Sequence, residues 1–119
     1  MSGIHGARSA LAVVLLVVPA AVAADTRWSL DGGAWARPRS GQAVLSMQPV
    51  ASAVRAWSDA ATAEIVIRYP GGEDGVLWAS ELRDWLVSLG VPSAHVRPVA
   101  GGEPGSLRLE VRPRGGGRA

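Results

Sequence analysis

The spacing of apolar residues changes sharply in the middle of the chain, and this change most constrains the fold. Residues 63–69 (AEIVIRY) are rich in β-branched side chains and alternate, a pattern typical of a strand. Residues 76–89 instead place apolar side chains every third or fourth position, which predicts a helix with one apolar stripe. Pro70, Gly71 and Gly72 separate the two segments. A strand followed at once by an amphipathic helix indicates an α/β unit.

The second predicted helix has clear signals at both ends. Asp74 is placed to cap its start, while Gly90 and Pro92 mark its end. Glu73 and Asp74 also suit the positive end of the helix dipole. We expect the apolar stripe to face the core; its members are Trp78, Ala79, Leu82, Trp85, Leu86 and Leu89.

The remaining segments extend this unit into one small domain. Residues 46–60 predict a helix capped by Ser46, and residues 42–45 predict a short first strand. Residues 94–99 predict a strand that Pro98 confines to a sheet edge. Residues 107–112 (LRLEVR) alternate as a strand should. The predicted fold class is α/β (an α+β sandwich) in the order β-α-β-α-β-β, with two helices on one face of a small mixed sheet and a final hairpin.

Residues 1–24 resemble a secretory signal peptide and not part of a fold. Arg8 gives a positive start, residues 10–18 (ALAVVLLVV) are wholly apolar, and small residues follow Pro19. Cleavage is predicted after Ala23 or Ala24. The alternative is a retained membrane anchor, although the apolar run is shorter than a spanning helix requires. The chain is therefore expected to be exported, with the periplasm as its destination and no stable membrane span after cleavage.

Composition excludes several kinds of chemistry. The chain has no cysteine, which rules out thiolate metal sites, cysteine nucleophiles and disulfides. The formal net charge is only +2 and all twelve cations are arginines spread along the sequence, so a nucleic-acid partner is not expected. After the leader, His95 is the single histidine and is expected to be structural. No metal site, cofactor or enzymatic activity is predicted.

Two flanking segments are expected to lie outside the domain proper. Residues 25–41 predict an irregular arm carrying Trp28, Trp35, Arg37 and Arg39. Such an arm can dock on its own domain or on a protein partner, since Trp and Arg are favoured at binding hot spots. The single α/β domain is assigned to residues 42–112. A disordered tail is assigned to residues 113–119.

The loop at residues 71–75 (GGEDG) connects the predicted strand to the predicted helix. It lacks the lysine of a phosphate-binding loop, and its two acids would repel phosphate. One interpretation is a tight turn with a helix cap; the other is a carboxylate, Asp74, presented to an amine or amide. Arg83 likewise is either a solvated residue or a group that grips a carboxylate.

Residues 44–111 resemble the OmpA-like peptidoglycan-binding domain. In this resemblance residues 65–69 form the strand, residues 71–74 (GGED) the loop, residues 80–83 (SELR) an S-x-x-R motif, and residues 90–96 the helix end and next strand. The resemblance implies that Asp74 and Arg83 hold the amine-bearing and carboxylate groups of a peptidoglycan stem peptide. The segment between these two residues is shorter than in that family.

Two functions are therefore expected as alternatives. The first is an exported, non-enzymatic binding module of the cell envelope that contacts peptidoglycan through Asp74 and Arg83. The second is a structural or accessory subunit of an envelope complex, such as secretion, conjugation or pilus machinery. That subunit would act through protein–protein contacts of the Trp28, Trp35, Arg37 and Arg39 arm.

Overall fold

A computed structural model describes residues 12–14, 26–37, 40–60 and 62–114. The predicted leader, apart from residues 12–14, and the last five residues lie outside this range, as does Arg39. The strands are β1 (Arg27–Asp31), β2 (Ala63–Tyr69), β3 (Val96–Ala100) and β4 (Ser106–Pro113). The helices are α1 (Gly32–Trp35), α2 (Gly41–Ser46), α3 (Gln48–Ser58) and α4 (Glu73–Ser88), and a 3-10 turn spans Ser93–His95.

The four strands form one mixed sheet in the order β1-β4-β2-β3. β4 is antiparallel to both of its neighbours, while β2 and β3 are parallel. A parallel pair needs a crossover, and α4 provides it. This architecture confirms the predicted α/β class with its mixed sheet.

One face of the sheet carries the apolar core beneath the helices. α3 lies over β1, β4 and β2, and α4 lies over β2 and β3. The core-facing side chains of β2 and β4 alternate along each strand and include Ile65, Ile67, Leu107 and Leu109. The buried stripe of α4 consists of Ala79, Leu82 and Leu86, with Trp78, Trp85 and Leu89 packed partly exposed beside it.

The end of α4 follows the prediction, but its start does not. Gly90 has a left-handed φ of 108°, the Val91 N–H donates to the Leu86 carbonyl at 3.0 Å, and the Gly90 N–H donates to Val87. This is the glycine-terminated helix end expected from the sequence. The N-cap, however, is Gly72 with φ 96°, so Asp74 already lies in the first turn. The reversal after β2 needs a positive φ at Gly72, and the helix therefore begins earlier than predicted.

The predicted first strand is wrong. Residues 42–45 belong to α2, whose start is capped by the Ser40 hydroxyl accepting from the Ala43 N–H at 3.2 Å. Ser46 ends α2, and Met47, not Ser46, is the N-cap of α3. The first strand is β1, inside the segment predicted as an irregular arm. β1 is a short edge strand, and its pairing with β4 decides its conformation.

The predicted final hairpin is also wrong, because β4 does not pair with β3 but inserts between β1 and β2. Pro98 lacks an N–H, and β3 lies at the sheet edge as expected for a strand containing proline. β4 bonds to strands on both sides and extends through Pro113. The domain therefore begins before residue 42 and includes a residue that was assigned to the tail.

Among the residues described, no helix is both long and apolar enough to cross a bilayer.

Candidate functional site

The two predicted ligand-binding residues lie on the same helix but not on the same side of it. Asp74 is exposed in the first turn of α4 and Arg83 is half-buried nine residues later. At about 100° and 1.5 Å per residue, their side chains leave opposite flanks of the helix, about 13 Å apart along its axis. The structure therefore does not bring Asp74 and Arg83 into one cleft.

Of these two residues, Asp74 lines a pocket and Arg83 lies outside it. This pocket has a volume of about 240 Å³ and lies where β2 ends and β4 begins. Its lining residues are Pro70, Gly71, Asp74, Gly75, Trp78, Pro104 and Gly105. The Asp74 carboxylate makes no hydrogen bond or ion pair with another described residue. It is therefore available to an incoming donor.

Close backbone approach holds this pocket together. A Cβ added to Gly75 would lie 1.9 Å from the Pro70 carbonyl oxygen, so only glycine permits α4 to approach the end of β2. On the other wall, the Gly32 N–H donates to the Gly105 carbonyl at 2.8 Å, which ties α1 to the loop before β4. The GGEDG loop thus acts both as a tight turn and as a support for Asp74.

Arg83 occupies a different environment. By helical spacing it shares a stripe with Val76 and Val87, both of which are exposed. Its guanidinium makes no ion pair with another described residue. Arg83 therefore belongs to a partly apolar outer surface of α4.

The residues of the predicted arm lie in different environments. Trp35 is completely buried in the core, which corrects the expectation that it contacts a partner. Its burial follows from α1, which turns back over the sheet directly after β1. Trp28 is half-buried against the core, and Arg37 is exposed. Arg39 lies outside the described residues.

His95 has a structural partner. The Trp57 indole N–H donates to His95 Nδ1 at 3.3 Å, and the ring centroids are 5.8 Å apart. The contact joins α3 to the 3-10 turn before β3. No group of three histidine or acidic side chains suited to a metal ion occurs within the described part of the chain.

The second face of the sheet carries charged residues that sequence reasoning treated as dispersed. The arginine face, as we call it, comprises the outward side chains Arg27, Arg68, Arg97, Arg108 and Arg112, with Glu64 and Glu110 among them. Arg68 Nε lies 2.9 Å from Glu110 Oε2, and both Arg97 and Arg112 lie 3.6 Å from Glu64 Oε2. These pairs partly neutralise the arginines.

A larger cavity, about 560 Å³, lies at the opposite end of the sheet, where β1 and β2 begin and β4 ends. α3 forms its outer wall, and Trp28 and Val111 contribute from the strands. Sequence reasoning missed it, because its residues come from four separate segments and none is unusual alone. The one local signal was an arginine and an aspartate one helical turn apart, Arg55 and Asp59.

A scan against protein-family models matches no family, and a search of curated proteins gives no significant match.

Proposed function

We propose that this chain is an exported, non-enzymatic binding module of the cell envelope, in which the Asp74 pocket receives an amine-bearing group. The peptidoglycan stem peptide is the proposed source of that group. The observation that carries the proposal is the Asp74 carboxylate on the wall of a concave site, where no other described residue pairs with it. The predicted signal peptide supports the location, and the OmpA-like resemblance supports the ligand.

The chemistry of the pocket favours a cation over an anion. A carboxylate is an acceptor only, so its natural partner is an ammonium or another strong donor. Trp78 lines the same pocket, and an indole ring attracts a cation placed over its face. Prolines and glycines make up the remaining walls and bring no charged side chain.

Arg83 has no part in this site as we now propose it. The resemblance implies that it grips a carboxylate of the same ligand, but the two side chains lie on opposite flanks of α4. We therefore expect Asp74 alone to bind the amine of the ligand. This contact is weaker than one in which an arginine also binds the carboxylate of the ligand.

Retention on purified sacculi tests the proposal. We expect wild type to be retained at low salt and Asp74→Asn to lose most of that retention, because the amide lacks the charge that attracts an ammonium. Asp84→Asn is the matched control, since Asp84 is exposed on the same helix but outside the pocket. Arg83→Gln should be retained like wild type. Equal retention of wild type and Asp74→Asn would show that the Asp74 pocket does not bind peptidoglycan.

A second arm of the experiment tests the amine itself. Acetylating the free amines of the sacculi removes their positive charge without altering the glycan. We expect acetylated sacculi to retain wild type no better than untreated sacculi retain Asp74→Asn. Full retention on acetylated sacculi would contradict amine recognition.

Export is tested separately by the mass of the protein recovered from the periplasm. Cleavage after Ala23 or Ala24 predicts a mature chain that begins at Ala24 or Asp25. Recovery of the uncleaved chain in the membrane fraction would favour a retained anchor and contradict the predicted signal peptide.

The second candidate function, an accessory subunit of an envelope complex, is favoured by one specific observation. Val76, Leu77 and Val87 are exposed on α4. Arg83, which forms no ion pair with another described residue, lies on the same outer surface as Val76 and Val87. The partner that fits is an envelope protein whose contact surface is apolar and carries an acidic residue opposite Arg83.

In-cell photo-crosslinking distinguishes the two functions. A photoreactive residue at position 87 should give a discrete adduct that Arg83→Glu abolishes and Asp74→Asn leaves intact. A sacculus-binding module without a protein partner gives no such adduct. Adduct formation that is insensitive to Arg83→Glu would contradict the charge complementarity.

A further inference from the structure

The cavity between α3 and the ends of the strands is a second candidate site, independent of Asp74. It lies at the opposite end of β2 and β4, a full strand length from the Asp74 pocket. Its volume of about 560 Å³ lies within the range typical of small-molecule sites. The proposed function does not use it.

Half of the residues that line the cavity are apolar. Three of these apolar residues are alanines, whose side chains are small. The apolar lining consists of Trp28, Ala56, Ala60, Ala63, Val111 and Pro113. Trp28 is only half-buried although it lies on the core-facing side of β1, so part of its indole ring is available to a ligand.

The polar part of the lining contains one cation and one anion without partners. Arg55 and Asp59 lie four residues apart, so they project from the same side of α3 about one turn from each other. Neither side chain makes a hydrogen bond or ion pair with another described residue. Arg112 also lines the cavity, but its guanidinium lies 3.6 Å from Glu64.

The position of Asp59 at the end of α3 gives it a different electrostatic environment from that of Arg55. Asp59 is the C-cap of α3, and the end of a helix carries partial negative charge. The helix end and the Asp59 carboxylate together favour a positive group. Arg55, one turn earlier, offers the paired donors that suit a carboxylate.

We infer that this cavity binds a small zwitterion with an apolar body, the chemistry of a free amino acid with a large apolar side chain. The ammonium group pairs with Asp59, the carboxylate pairs with Arg55, and the apolar side chain lies among Trp28, Val111 and the alanines. A simple fatty acid or alkylamine satisfies only one of the two charges and leaves the other without a partner.

Titration of the mature chain with free L-leucine and L-phenylalanine, followed by the indole N–H signals in NMR spectra, tests the inference. N-acetyl and carboxamide derivatives of each amino acid form the comparison, because each removes one charge. The same derivatives stand for the terminal residue of a peptide, so they also separate a free amino acid from a peptide end. We expect the free zwitterion to bind at least about tenfold more tightly than either derivative, the loss typical of one charge-assisted hydrogen bond.

Matched variants assign the charges. Arg55→Gln and Asp59→Asn should each weaken binding of the zwitterion, whereas Arg27→Gln and Asp84→Asn, which lie outside the cavity, should not. Ala60→Leu, at an exposed position on the cavity wall, should block binding while the circular dichroism spectrum stays native. Asp74→Asn should bind the zwitterion normally, which separates this inference from the proposed function.

Three outcomes overturn the inference: no binding of any free amino acid at millimolar concentration, equal binding of the N-acetyl derivative, or unchanged binding by both Arg55→Gln and Asp59→Asn.

Discussion

Both faces of the sheet contain fully buried side chains, but different kinds of neighbours bury them. On the helix face, Ile65 and Ile67 are fully buried beneath α3 and α4. On the arginine face, Val66 is also fully buried and Glu64 and Glu110 are nearly so, yet no described helix covers them. On that face the neighbours of Val66 on the adjacent strands are Arg97 and Glu110, long charged side chains whose methylene groups can cover a sheet while their charged ends reach water.

Burial alone therefore does not predict how much a mutation lowers the free energy of unfolding. Helices packed to interior density relax only partially around a deleted group, so a cavity remains. Flexible arginine side chains can move into the space that a smaller residue leaves. We therefore expect substitutions on the helix face to lower the free energy of unfolding more than substitutions on the arginine face.

The largest effect is expected from Trp35→Ala on the helix face. Removing a fully buried indole should lower the free energy of unfolding by about 3–5 kcal/mol. Urea denaturation measures it, with Trp28→Ala as the control, because Trp28 is only half-buried and should cost less. A smaller loss for Trp35→Ala than for Trp28→Ala would mean that residues 32–35 do not pack as the structure shows.

Ile67→Ala and Val66→Ala compare the faces directly, since these neighbours in β2 are both fully buried. We expect about 3–4 kcal/mol for Ile67→Ala from lost burial and the remaining cavity. For Val66→Ala we expect about 1 kcal/mol, because the surrounding arginines can fill the space.

Dividing each loss by the number of carbons removed allows for the difference in side-chain size, and unchanged m-values show that both variants retain two-state unfolding. Equal losses per carbon would mean that the arginine face is packed as rigidly as the helix face.

A double-mutant cycle on Arg68 and Glu110 should give a smaller value. Their side chains form the shortest ion pair on the arginine face, at 2.9 Å, but the Arg68 side chain remains 32% exposed. We expect a coupling free energy of about 1 kcal/mol or less, falling as salt is added. The single variants are Arg68→Gln and Glu110→Gln, and coupling that is independent of salt would contradict this explanation.

The smallest effect is expected from Arg27→Gln at the edge of the same face. Arg27 is exposed and makes no ion pair with another described residue. The free energy of unfolding should change by less than about 0.5 kcal/mol. A larger loss in thermal or urea unfolding would show that the arginine face depends on all its cations together and not on local pairs.

Prediction from sequence succeeded where one segment carries its own signal. The bounds of β2 agree with the alternation of residues 63–69, and Gly90 ends α4 as expected. Pro98 correctly predicted an edge strand. These features depend on backbone conformation and local spacing, which neighbouring residues determine.

Prediction failed where a distant segment decides the outcome. β1 is five residues long, and its Trp28 and Leu30 alternate too briefly to distinguish a strand from an arm. The candidate site shows the same division: Asp74 was found because it lies in a recognisable loop, whereas the larger cavity is assembled from α3 and three strands.

Local sequence patterns were enough to predict the mixed helix and strand character, the bounds of β2 and the end of α4, and composition alone excludes cysteine chemistry. Contacts between distant segments place β4 between β1 and β2 and bury Trp35 in the core. They also bring the arginines to one face of the sheet and leave Asp74 and Arg83 on opposite flanks of α4. The physical reason is one of range. The spacing of apolar residues and the turn residues determine backbone conformation over a few positions, whereas strand order, side-chain burial and cavities depend on contacts between segments far apart in the chain.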